Sequence, residues 1–241
     1  MKQKMFSEEL NIKSTTPGRY KWLFGAFGFW QRIDNTVTLD YFTKDYATRK
    51  LYDTPAYGVA FYHQSTIDDL LTRGLSLTFG IRYDYEHTSN DFLFYKETDG
   101  GSEQMDAFDS RLKFSQVTPK IALQYMFPST GMLYATVTKG YKTGGFNTSF
   151  DREEDRTFRP ETSWNYELGA KHPFLDNRLN AEFCFFWIDW KNQQIYQMLA
   201  TQNGQYLRNA GRSESKGVEV SLQGNPVDVQ LRTSEHRSMY S

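Results

Sequence analysis

Residues 74–86 read Gly74-Leu75-Ser76-Leu77-Thr78-Phe79-Gly80-Ile81-Arg82-Tyr83-Asp84-Tyr85-Glu86. Leu75, Leu77, Phe79, Ile81, Tyr83 and Tyr85 take every second place; Ser76, Thr78, Arg82, Asp84 and Glu86 lie between them. Successive side chains of a β-strand point to opposite faces, so the stretch predicts a strand with one apolar and one wet face. It outlasts the ~5–6 residues usual for a strand in a globular domain. It reaches the ~9–11 residues that cross a bilayer at a tilt.

The same period recurs on both sides of this stretch. Val117, Pro119, Ile121, Leu123 and Tyr125 alternate with Gln116, Thr118, Lys120 and Gln124. Leu133, Ala135 and Val137 alternate with Tyr134, Thr136 and Thr138, and Trp164, Tyr166, Leu168 and Ala170 with Asn165, Glu167 and Lys171. Leu179, Ala181, Phe183, Phe185 and Trp187 form another apolar set, and Val218, Val220 and Leu222 a last one. Tyr20–Trp30 and Tyr57–His63 are weaker cases, and Thr36–Phe42 is read as a separate strand. The pattern predicts about nine to eleven strands. Only Thr66–Thr72 fits a helix template: Thr66 could cap it, Asp68 and Asp69 support it and Gly74 end it. A turn or a few helical residues is expected there.

Connections alternate in length. Pro128–Gly131 and Pro173–Asn177 carry turn residues and are short. His87–Lys113 and Gly140–Arg159 are read as long, polar, charged loops. Outer-membrane barrels have short periplasmic turns and long extracellular loops. That puts Pro128–Gly131 and Pro173–Asn177 on the periplasmic side, and Thr88–Arg111 and Lys142–Pro160 outside. The expected fold is all-β: an antiparallel up-and-down transmembrane β-barrel, incomplete.

Composition agrees with that reading. Hydrophobic residues are 39% of the 241 and mean hydropathy is -0.67, yet aromatics reach 17%, with 16 tyrosines and 19 phenylalanines. A membrane barrel is polar on one face and aromatic at its interfaces; a soluble β-sandwich can give similar figures. The formal net charge of -1 gives no electrostatic support for nucleic-acid binding. Cys184 is the sole cysteine, so no intrachain disulfide forms; a small apolar or lumen-facing side chain is expected. No run approaches the ~20 apolar residues of a spanning helix. Residues 1–14 lack the apolar core of a signal peptide, so either the chain is not exported or its start lies upstream.

Several strings together resemble one family. KGYKTGGFN (Lys139–Asn147) and RPETSWNYELGAK (Arg159–Lys171) are similar to barrel segments of TonB-dependent outer-membrane receptors. So are LSLTFGIRYDYE, FSQVTPKIALQY, AEFCFFWIDWKNQQI and SKGVEVSLQG, in family order. The resemblance runs from Phe6 to Gly224 and is strongest to the siderophore and iron-complex branch. It implies a partial barrel over residues 1–224, about half of a ~22-stranded wall. Residues 225–241 lose the alternation and are expected to be an atypical tail from a truncated or frame-shifted reading frame. The family's N-terminal plug and TonB-contacting box find no match here.

The resemblance implies energy-coupled uptake of a scarce ligand, a ferric siderophore, across the outer membrane of a Gram-negative bacterium. Its partners would be outer-membrane lipid, the ferric siderophore and the TonB complex, the last through the missing N-terminal region. Ligand would meet aromatic and basic side chains of the outer loops: Tyr95, Arg111, Tyr141, Phe146 and Arg152. Trp187, Trp190 and Tyr196 would join a membrane-interface girdle. A passive porin-like barrel and a soluble carbohydrate-binding β-protein are the alternatives.

Other chemistry finds little support. Gly140, Gly144 and Gly145 lack the Gly-Lys-Ser/Thr ending of a phosphate loop and are expected to relieve crowding where strand meets loop. His63, His87, His172 and His236 have no metal-ligand spacing and are expected to be solvated or at a rim. Asp151, Glu153, Glu154 and Asp155 lack a calcium-loop pattern. No catalytic string is present, so no enzyme, metal or cofactor is expected.

Overall fold

Alternation does not end where the apolar residues thin out, and the strands are correspondingly long. The computed structural model describes residues 1–176, 178–200 and 204–224. Six strands come first: β1 (Lys2–Lys13), β2 (Tyr20–Tyr41), β3 (Tyr46–Ile67), β4 (Leu75–Thr98), β5 (Gly101–Met126) and β6 (Met132–Lys142). The short β7 (Gly145–Phe146), a 3-10 turn (Glu153–Arg156) and β8 (Thr157–Phe158) follow. Then come β9 (Glu161–Phe174), β10 (Leu179–Lys191), β11 (Gln194–Met198), β12 (Gln205–Asn209) and β13 (Arg212–Gly224).

Nine strands form one sheet in the order β1-β2-β3-β4-β5-β6-β9-β10-β13, every neighbour antiparallel. β7 pairs with β8, and β11 with β12, outside it. With an odd number of alternating strands, β1 and β13 run in the same direction. They cannot pair antiparallel with each other, and the sheet is open.

Register aligns the faces. Tyr20, Ile67, Leu77, Leu123, Ala135, Leu168, Phe185 and Val218 stand directly opposite one another from β2 to β13. This apolar face is exposed at Phe61, Ile121, Leu168 and Val220, among others. Toward the other end of the strands, Trp30, Tyr57, His87 and Lys113 form an aromatic-rich row. Four residues further along, Asp34, Asp53, Asp91 and Asp109 stand directly opposite one another. Opposed like charges repel; Arg32 offsets part of this by holding Asp53 through Nε at 2.9 Å and Nη2 at 2.6 Å. The apolar band therefore ends below the aspartates, and much of the 22–26 residues of β2 to β5 extends beyond it.

The polar face is knitted by aromatic rings lying over glycines. Tyr62 is directly opposite Gly25, Phe29 opposite Gly58, Tyr134 opposite Gly169 and Phe186 opposite Gly217. A Cβ on Gly25 would lie 2.0 Å from the Tyr62 ring, and one on Gly169 2.4 Å from the Tyr134 ring. The missing side chain lets Tyr62 of β3 cross β2 and donate to Asn11 Oδ1 on β1 at 2.6 Å, with Glu9 beside it. Tyr134 crosses β9 in the same way, toward Glu182 of β10 at 3.5 Å.

Three expectations change. His87–Lys113 is not a loop: β4 and β5 continue through it to a turn at Asp99–Gly100. Phe92 is buried there against Tyr52 and Phe108, with centroids 5.0 and 4.6 Å away, so apolar packing sustains the strands above the charged row. Thr36–Phe42 is no separate strand, because β2 runs unbroken from Tyr20 to Tyr41. Thr66 caps nothing: it is in β3, and its hydroxyl bonds that of Thr78 at 2.9 Å. The turn after it is held by Asp69, whose Oδ1 accepts from Gly74 N at 2.6 Å, and by Asp68, which accepts from Lys21 Nζ at 2.5 Å and Ser76 Oγ at 2.9 Å. His63 is half-buried and stacks on Phe24 on the apolar face, near the short-turn end of the strands. The turns at Pro128–Gly131 and after Phe174 are short as expected, although Asn177 and the 225–241 tail lie outside the described residues.

Candidate ligand-binding loops

Pro119 has no N–H to give a ladder. Pairing of β5 with β6 stops beside it, at Lys120 opposite Thr138, while β6 and β9 stay paired as far as Lys142 opposite Glu161. Released from β5, residues 143–158 lie against the polar face of β3 to β5. Tyr52 donates its hydroxyl proton to the Thr148 carbonyl, and the Arg156 guanidinium lies 3.7 Å from the Phe108 ring centre. Glycine is required for this approach. A Cβ on Gly144 would lie 2.3 Å from the Phe158 carbonyl oxygen and 2.9 Å from the Phe114 ring.

Asn147 joins this loop to the next one. It is buried; Nδ2 donates to the Asp155 carbonyl at 2.7 Å and to the Leu207 carbonyl at 2.8 Å. Oδ1 accepts from Leu207 N at 2.8 Å. A carboxamide carries the donor and acceptor of a peptide group, so Asn147 pairs with β12 as a strand would. Asn209 works in the opposite direction: its Oδ1 accepts from Arg159 N at 2.7 Å and its Nδ2 donates to Arg159 O at 2.9 Å. Gln194 Nε2 donates to Thr143 O at 2.8 Å, and Asp151 accepts from Ala200 N at 3.0 Å. Residues 143–160, 192–200 and 204–211 are thus one latched unit.

Its charges are internally matched. Asp155 is buried between Arg152, with Nε at 3.1 Å, and Arg208, with Nε at 3.8 Å. The hydrogen bond to Asp155 raises the Arg152 pKa further above its ordinary value. Arg156 Nη2 meets Glu153 at 2.9 Å, and Arg152 Nη1 meets Glu154 at 2.6 Å. Burial raises the Tyr52 pKa, so its hydroxyl stays a donor. A cavity of ≈ 320 Å³ lies between loop and wall, lined among others by Tyr52, Thr54, Glu86, Asn90 and Phe146. Asn90 is 1% exposed and its Nδ2 has no hydrogen-bond partner among the described residues.

The five sequence-derived ligand residues divide between the two faces. Tyr141 is the last residue but one of β6, Phe146 lines the cavity and Arg152 braces the 3-10 turn. Tyr95 and Arg111 take the odd-numbered places of β4 and β5 that share a face with Tyr83 and Val117. The Arg49 guanidinium lies 5.6 Å over the Tyr95 ring. Of the aromatic set, Trp187 stacks on Tyr166 at 5.1 Å within the apolar face. Trp190 falls on the opposite parity of β10, and Tyr196 is exposed on β11. Tyr52, Asn147, Asp155, Gln194 and Asn209 were not anticipated. The signal for Asn147 was its place directly after Gly-Gly-Phe, where a peptide-like side chain can close a loop.

The family described as TonB dependent receptor-like, beta-barrel, matches residues 3–240. The chain belongs to the TonB-dependent receptor family. Members are receptors and transporters rather than enzymes. The pesticin receptor of Yersinia pestis is 26% identical over 226 residues, covering 91% of this chain and 32% of the relative. Two solved structures share the fold. The ferric yersiniabactin uptake receptor FyuA from Yersinia pestis superposes with a TM-score of 0.75 at 22% identity, over 93% of this chain and 33% of that one. The ferric-catecholate import receptor Fiu from Escherichia coli K12, in its closed form, gives 0.59 at 19% identity, over 93% and 36%. This TonB-dependent receptor chain spans about a third of the length of the relatives it matches.

Proposed function

We propose that this chain is a wall segment of an outer-membrane receptor that takes up a ferric siderophore with energy delivered through TonB. The apolar face meets lipid, the short turns face the periplasm and the long hairpins face outward. The latched loops hold the ligand over the polar face, and a plug domain in the intact protein gates passage. The chain does no covalent chemistry; it supplies wall, rim and part of the binding surface. Ferric import by proteins whose solved structures share the fold supports this reading. The observation that carries it is the loop unit built on Asn147, which holds Phe146 and Arg152 in loops lying against the polar face of the wall.

Binding tests the ligand. The membrane-embedded protein, purified in detergent, is titrated with a panel of ferric siderophores while tryptophan fluorescence is followed. Saturable quenching by one iron complex, weakened in Asn147→Ala, is expected. Quenching by none of the panel, or quenching indifferent to Asn147, contradicts the assignment of ligand binding to these loops.

A further inference from the structure

The apolar face carries a trough that the uptake reading leaves unused. Ala26 forms its floor on β2, flanked by Leu10 and Ile12 of β1 on one side and by Phe61 of β3 and Tyr83 of β4 on the other. Its volume is ≈ 440 Å³, within the ~300–1,000 Å³ of small-molecule sites. The lining is almost wholly apolar.

The end of the trough nearer the short turns is polar. His63 lines it, stacked on Phe24 with ring centres 4.1 Å apart. His63 Nδ1 lies 3.0 Å from the Leu23 carbonyl and Nε2 2.8 Å from Ser65 Oγ. Ser65 Oγ is 2.9 Å from the Tyr20 hydroxyl. A carbonyl only accepts, so Nδ1 carries the ring proton. In the neutral ring Nε2 then accepts from Ser65, and Ser65 accepts from Tyr20. The donors of the chain are all spent within it; what it offers outward is lone pairs. The string points toward the rim of short turns, where Tyr20 begins β2.

We infer that the trough between β1 and β4 holds one acyl chain of a phospholipid, with an ammonium headgroup at the Tyr20–Ser65–His63 string. This rests on the reading that the apolar face meets lipid, with which the trough is continuous. A lone-pair-rich end fits a headgroup that donates, and an aminophospholipid donates through its ammonium. The short-turn rim is the periplasmic one in a barrel of this type, where the leaflet is phospholipid.

The test uses the intact protein extracted from its native outer membrane in mild detergent, with bound lipid identified by mass spectrometry of the complex. The wild type is expected to retain phosphatidylethanolamine. Ala26→Phe fills the trough and should reduce that retention several-fold. Leu168→Phe, on the same face but away from the trough, should leave it unchanged. Tyr20→Phe keeps the trough open; in vesicles mixing phosphatidylethanolamine and phosphatidylglycerol it should hold lipid but lose the preference between them. Equal retention in wild type and Ala26→Phe, or an equal loss in Leu168→Phe, overturns the site. An unchanged preference in Tyr20→Phe overturns the headgroup assignment. Recovery of the wild type from membranes without detergent would instead overturn the lipid-facing reading beneath it.

Discussion

The carboxamide of Asn147 exchanges two hydrogen bonds with the backbone of Leu207, Nδ2 to the carbonyl and Oδ1 from the N–H, each at 2.8 Å. Sixty residues of chain separate these partners, so the pair is one of the ties that make the two loops move together. Asn147→Ala leaves buried backbone groups of Asp155 and Leu207 without partners, at a cost of about 1–3 kcal/mol. The Leu207 amide should exchange with deuterium faster, and both loops should become more sensitive to protease. Asn147→Asp keeps the acceptor but faces two carbonyls with a carboxylate, and should not restore the latch. Unchanged exchange in both variants would remove the latch from the account.

Glycines within one motif should differ. A Cβ at Gly144 meets the Phe158 backbone at 2.3 Å, while one at Gly140 meets only the Ser163 hydroxyl at 3.1 Å, which can rotate away. Gly144→Ala should therefore displace residues 143–158 from the wall and weaken ligand binding, and Gly140→Ala should do so far less. Fluorescence titration of the two variants checks the order.

The glycine-and-ring pairs predict a matched contrast on β2. Gly25→Ala drives a Cβ into the Tyr62 ring, and overpacking of this kind costs about 1–3 kcal/mol. At Gly28 the nearest atom to an added Cβ is 3.9 Å away, so Gly28→Ala should be nearly neutral. Unfolding midpoints in denaturant give both values. Adding Tyr62→Ala to Gly25→Ala should cost less than the sum of the single changes, because neighbours couple.

Acid should loosen the short-turn rim. Hydrogen bonds from Lys21 and Ser76 lower the Asp68 pKa in the folded protein. A depressed carboxylate contributes stability that is complete above its unfolded pKa of about 3.9. That contribution is lost as pH falls through the lower folded value. The unfolding difference between wild type and Asp68→Asn should thus be constant at neutral pH and shrink on acidification below the unfolded pKa. A difference that grows in acid has the wrong sign for this linkage.

Much of the wall was legible because its faces differ chemically. Leu75–Glu86 announced one apolar and one wet side, and the same period located β5, β6, β9, β10 and β13. The extension of β4 and β5 past Glu86 was missed because charge was read as loop. Asp91 and Asp109 are strand residues opposite each other, and what holds them in line is the cluster of Tyr52, Phe92 and Phe108, a contact between three strands. Tyr95 and Arg111 were read as loop residues by type, although parity with Tyr85 on β4 and Val117 on β5 puts them on the apolar face. Asn147 was quoted in the motif, but its partner Leu207 lies in a different loop, and no local pattern links the two. The polar string at His63 was hidden for the same reason: Tyr20, Leu23 and Ser65 meet it across β2 and β3.

Uptake of iron delivered as the ferric siderophore bound by the purified protein is the most direct test of the central claim. Radioiron accumulation is measured in cells carrying the intact receptor gene, with and without a functional TonB. Accumulation that needs both the receptor and TonB, and that falls in Asn147→Ala, is the predicted result. Accumulation that needs the receptor but continues unchanged without TonB would contradict the account and make the wall part of a passive pore.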